Sequence, residues 1–249
     1  MANLDPKARQ GQVAPPGLTL DEIAASVLPL PDRASLSEKE RDAFDYIMKR
    51  SKTWFESTPE NAGKDYRMSP LYIGFLQSPE VSELWIRLTD HLGTAESRGS
   101  FTARERDWIR LAVAALQGTV IQGLQIADAV ASGIAPQDIR ALIDGRLQDL
   151  APDDRQLVDY IDAAMHGRLT RALYEPIEAR MGTKGAVEYT SMIIFVAGIR
   201  RLIEAYWAIQ NYVLPDRSTD HAVLDAIMDG TAPVHGYDRL KDVVAKTNS

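Results

Sequence analysis

Nearly every segment of this chain with a regular hydrophobic pattern repeats it at helical spacing, and residues that start or stop helices flank most of these segments. In SLSEKERDAFDYIMKRS, Ser35 or Ser37 supplies the cap, and Ser37 with Glu40 makes a capping box. Glu38 and Glu40 complement the helix dipole, while Phe44, Tyr46, Ile47 and Met48 form a broad apolar face. Pro79 leads PEVSELWIRLTDHLG toward a C-cap at Gly93, and Thr102 caps a run that begins ARERDWIRLAVAAL. Gly118 or Gly123 is expected to interrupt that run before IADAVAS ends at Gly133.

The pattern continues to the C-terminus. A short helix is expected from Pro136 to about Ile143, another led by Asp153 and Asp154, and a third capped by Thr170. From Lys184 a long helix follows whose apolar residues lie on most sides, which implies burial against several partners. HAVLDAIMDG at 221–230 and the tail GYDRLKDVVAKTNS add weaker helices. No alternating run of β-branched residues and no internal repeat interrupts this series, so the expected fold class is all-α. Three segments are expected: an N-terminal arm with a short helix at 1–34, a helical domain at 35–212 and a C-terminal helical extension at 213–249. Within the arm, residues 1–18 are rich in proline and poor in apolar residues, and Thr19 or Asp21 can cap a helix through Val27.

Composition narrows the chemistry. The chain has 249 residues, enough for a sizeable core, and no cysteine, which removes disulfides, thiolate metal sites and thiol redox catalysis. A formal charge of −7 argues against a nucleic-acid partner. No segment approaches the roughly 20 apolar residues of a membrane helix, and the N-terminus lacks a leader pattern, so no membrane partner is expected and the cytoplasm is the expected compartment. No His and carboxylate set has metal-site spacing, so neither metal nor cofactor is expected.

Five pieces in order, MSPLYIGFLQSPEVSELWIRL, FTARERDWIRLAVAAL, IADAVASGIAPQDIRALIDG, DDRQLVDYIDAAMHGRLT and GAVEYTSMIIFVAGIRRLIEAY, resemble the carboxymuconolactone decarboxylase and alkylhydroperoxidase D (AhpD-like) superfamily over roughly residues 35–212. The resemblance implies an AhpD-like helical bundle and a homo-oligomer, trimer or hexamer. It also implies chemistry on the helix within LAVAALQGTVIQGLQIADAVASG, residues 111–133. There the peroxidase branch carries Cys-x-x-Cys-x-x-x-His, with a Glu opening the preceding helix, and the decarboxylase branch Glu-x-x-x-His. This chain has neither. Counting back from Gly133 places the histidine at Gln125, the second cysteine or glutamate at Ile121 and the first cysteine at Gly118. Counting forward from Asp107, which matches the leading acid, places the histidine at Ile126 and the glutamate at Gln122. A peroxidase mechanism is therefore excluded for want of a thiolate.

The expectation is a cofactor-independent, decarboxylase-like lyase acting on a small carboxylated or lactone-type molecule. Asp107 would be the acid or base, and Gln122 and Gln125, three apart on a helix, would orient the substrate. Tyr72, His91, Thr119 and Arg200 are candidate substrate-binding residues. Each has a structural alternative. Asp107 sits in a first turn with Arg104 and Arg106 as salt-bridge partners, the amides could pair with buried backbone, and His91 and His166 lie at helix ends. Tyr72 could belong to the core, and Arg200 could serve a subunit salt bridge. The competing function is a non-catalytic ligand-binding or assembly protein that keeps the fold without the active site.

Overall fold

A computed structural model of the protein describes residues 12–13, 15, 17–58, 61–94, 99–121, 123–215, 218–232, 234 and 239–248. The fold is all-α apart from one two-stranded ladder, β1 (Gln12–Val13) paired in parallel with β2 (Tyr212–Val213), and an isolated bridge between Leu18 and Met68. Two residues are too short for an alternation pattern to announce a strand. The expected first helix is also shorter than read: α1 (Leu20–Ala24) has Thr19 and Glu22 in a capping box and stops before Val27.

Cα proximity divides the chain into two compact units, each assembled from separate stretches of sequence. Each unit recruits helices distant in sequence. The first comprises residues 1–91, 201–215 and 238–249. In it Ser37 caps α2 (Glu38–Glu56) through the expected capping box with Glu40, and Phe44 and Ile47 are buried. The tail helix α11 (Arg239–Asn248) packs on α2, burying Val243 and Thr247. Proline-led α3 (Pro70–Phe75) places Gly74 under the ring of Tyr206, where even a methyl would lie 2.1 Å from the ring. The helix α4 (Pro79–Gly93) includes Gly93 instead of ending before it, and its Asp90 meets Arg50 of α2 in a buried ion pair of 2.7 Å.

The second unit comprises residues 92–200 and 216–237 and is built around α5 (Ala103–Gln117). Thr102 and Glu105 form its capping box, and Gly118, in the left-handed conformation at φ 71°, ends it. Every residue from Glu105 to Ala114 is buried, so this helix is covered on all sides. Four of those ten are charged, and burial at that depth requires partners. The helices α6 (Gly123–Ala131), α7 (Pro136–Ile143) and α8 (Pro152–Met165) pack against α5, and α10 (Ser218–Met228) packs against α6 and α7. The expected pair of helices on either side of residue 182 forms α9 (Arg171–Ile209), broken at Gly182 with φ 71° and ψ 166°. A β-carbon at Gly185 would meet the Ser100 carbonyl at 2.4 Å, so glycine lets α9 approach the segment leading into α5.

Candidate functional site

Gly118 stops α5, and the chain must turn through residues 119–122 before α6 begins. That turn carries the seam in which the sequence placed its candidate site. Its backbone polar groups no longer have helical partners and need others. Arg200, on α9 and 9% exposed, reaches this turn. One guanidinium nitrogen donates to Thr119 Oγ1 at 3.3 Å and to the Val120 carbonyl at 3.0 Å. The other donates to the Arg110 carbonyl at 3.4 Å and to Gln125 Oε1. The Thr119 hydroxyl also donates to the Ala114 carbonyl at 3.3 Å, and the Ile121 amide donates to buried Asp220 at 3.0 Å. Three residues selected from sequence, Thr119, Gln125 and Arg200, are thus brought together.

Asp107 lies one turn into α5 and is wholly buried. Its Oδ1 accepts from Arg106 Nε at 3.0 Å and from Arg110 at 3.3 Å, and its Oδ2 from Arg106 Nη2 at 3.1 Å. Arg110 continues to Asp128 of α6 at 2.8 Å. Both carboxylate oxygens of Asp107 are therefore engaged by guanidinium groups, and using either as a proton acceptor would break charge-assisted bonds in the interior. Arg104, offered by the sequence as another partner for Asp107, instead makes a two-pronged pair with Asp154 of α8 at 2.6 and 2.7 Å, its guanidinium 5.8 Å from the Trp108 ring centre. Glu105 joins its capping role to an ion pair with Arg180 at 2.5 Å, and its carbonyl accepts from the Tyr189 hydroxyl at 3.3 Å.

The remaining candidates fall elsewhere. Gln122 lies outside the described residues. Gln117, in the same seam, donates to the Ala197 carbonyl at 3.3 Å, an amide used against backbone. Tyr72 and His91 belong to the first unit. Tyr72 is half-buried on α3 with its ring edge-on to Phe75 at 6.4 Å, and His91 is exposed in the last turn of α4. His166 follows the end of α8, its Nδ1 2.8 Å from the Asp162 carbonyl, as its place at a helix end suggests.

The sequence reading missed Arg110, Asp128 and Asp220. Arg110 had a local signal, since it stands three residues after Asp107 on one helix. The other two had none, because Asp128 and Asp220 reach their partners across 18 and 99 residues. Among the described residues no group of three His, Asp or Glu side chains is placed to hold a metal ion, and no helix is long and apolar enough to cross a membrane. No protein-family model matches the chain, and no curated protein or solved structure matches it.

Proposed function

We propose that the chain is a divergent member of the carboxymuconolactone decarboxylase and AhpD-like superfamily that keeps the fold as a non-catalytic ligand-binding or assembly protein. The observation that carries this reading is the state of Asp107. It is the one acid at the positions where the resemblance puts catalytic groups, and Arg106 and Arg110 occupy both its oxygens. Gln125 and Thr119 can hydrogen-bond a ligand but cannot exchange protons near neutral pH. Assembly has its own support on α9, where Val187 and Ile194, seven residues apart, are 55% and 51% exposed with exposed Ser191 between them. A second copy of the chain is the proposed occupant of that stripe.

The test presents purified protein with a panel of lactone carboxylates and aromatic acids, following lactone absorbance and carbon dioxide release alongside thermal unfolding. The reading expects no turnover above the buffer blank, with any stabilising ligand losing its effect in Gln125→Leu. Turnover that vanishes in a folded Asp107→Asn variant overturns it.

A second reading, a cofactor-independent lyase on a small carboxylated or lactone-type molecule, draws support from the meeting of Arg200, Thr119 and Gln125 at one turn. A guanidinium and an amide side by side suit a carboxylate. Under that reading Gln125→Leu raises KM on a turned-over substrate. Sedimentation velocity tests the assembly: Val187→Lys with Ile194→Lys should reduce the particle to a monomer.

A further inference from the structure

Outside the seam, α7, the 3-10 turn at Leu147–Asp149 and α10 enclose a cleft of about 310 Å³. That volume is at the small end of ligand sites. We propose that this cleft binds a small organic cation, a primary amine or guanidinium on a short alkyl body, through the carboxylate of Asp138.

The charges lining the cleft carry the argument. Arg140 donates to Asp225, and its second contact is the Met228 sulfur at 3.7 Å. Arg146 is held between Asp144, at 3.0 and 3.3 Å, and Asp149. Both lining arginines are thus neutralised where they stand, and so is Asp149. Asp138 is different. Its side chain makes no hydrogen bond or ion pair with any described residue, although it is partly buried in the first turn of α7. The charges of other elements that act on it are Arg104 and Asp154, which are bonded to each other and act on Asp138 in opposite senses. Burial first, and Asp154 second, push its carboxyl above the usual range. The wall therefore presents one carboxylate without a counter-ion, and a bound cation would supply it.

The rest of the lining selects the kind of cation. Ala141 and Met228 give the cleft an apolar side suited to methylene groups, and the flexible thioether adapts to their shape. A hard metal ion prefers six or more oxygen ligands, and no described trio of metal-binding side chains stands here. The site is independent of the seam around Arg200.

Calorimetric titration and thermal unfolding of the full chain at constant ionic strength, with agmatine and n-butylamine as probes, test the proposal. Butyrate, 1-butanol and magnesium chloride serve as size- and charge-matched controls. Both amines should bind and raise Tm with concentration, the controls should not, and Asp138→Asn should weaken amine binding at least tenfold. Met228 is 56% exposed, so Met228→Trp should fill the cleft and abolish binding with an unchanged far-ultraviolet spectrum. Gln125→Leu should bind amines as the parent does. The proposal is overturned if neither amine binds, if butyrate or magnesium acts equally, or if either cleft variant binds amines undiminished.

Discussion

Replacing Asp107 with asparagine separates a structural carboxylate from a catalytic one. The substitution keeps the side-chain shape and removes the negative charge that Arg106 and Arg110 share. Arg110 retains Asp128 at 2.8 Å, so the main loss falls on Arg106, whose side chain is 3% exposed and which holds both oxygens of Asp107. Removing one member of a buried ion pair costs about 3–5 kcal/mol, because the remaining charge stays desolvated. Retention of the Asp128 contact places the expectation near the lower end, about 3 kcal/mol. For a chain of this size that lowers Tm by roughly 6–12 °C. Urea unfolding followed by circular dichroism measures the loss directly. Arg106→Met in the same background should cost less than it does in the parent, because the two side chains are in contact and their losses do not add. A carboxylate retained for catalysis behaves in the opposite way: neutralising it removes activity and leaves stability unchanged or improved. A loss below about 1 kcal/mol, or two substitutions that simply add, would refute the structural assignment.

Three other substitutions probe the elements around these sites. Gly74→Ala should destabilise the first unit by about 1–3 kcal/mol, because its methyl would overlap the Tyr206 ring, and adding Tyr206→Ala should recover part of that loss in chemical denaturation. Thr102→Ala should cost about 1 kcal/mol by removing the acceptor for the Glu105 amide at 3.2 Å, read as a fall in Tm. Asp138→Asn should stabilise the ligand-free chain at neutral pH. A carboxyl raised in the folded state binds its proton more tightly there than in the unfolded chain, so the native form loses stability as pH rises from about 4 through the raised value. The asparagine variant escapes that loss. Its advantage should therefore grow from acid to neutral pH in paired melting curves, and a constant difference would contradict the cause assigned to the shift.

How much could be read in advance depended on the range of each interaction. Caps act within four residues, and the Ser37 and Glu40 capping box and the Thr102 cap stand where the sequence put them. The break in α9 fell at Gly182, between the two helices expected on either side of it. Elements settled by pairing across the chain were not legible. The β1 and β2 residues are about 200 positions apart and too few to show alternation, and α11 meets α2 from the opposite end of the sequence. Ion pairing within the ARERD run shows the same limit at closer quarters. Arg104, three residues before Asp107, has the spacing of a helical neighbour, yet it turns to Asp154 fifty residues away. Arg106, adjacent in sequence and formally on another face, curls back to hold Asp107. Of the two partners the sequence offered Asp107, Arg106 is one and Arg104 is not, because burial of all four charged residues within Glu105–Arg110 had to be solved together.

The same reasoning accounts for the polar residues between α5 and α6. A left-handed glycine at 118 ends one buried helix, and the next begins only five residues later, so backbone groups of the turn are left without helical partners near the core. Arg200 reaches the Val120 and Arg110 carbonyls, Asp220 takes the Ile121 amide, and Gln117 takes the Ala197 carbonyl. The bonds to the Val120 carbonyl and the Ile121 amide meet a need created by the turn itself, independent of any ligand. Part of the polar seam that invited a catalytic reading thus serves to close the connection. Among the described residues, Gln125 uses only its oxygen here, toward Arg200, and Gln117 only its nitrogen, toward Ala197. A ligand that accepts from the Gln125 nitrogen would bind at this turn, and Gln125→Leu removes that donor, which is why it is the variant that distinguishes binding at the seam from binding anywhere else.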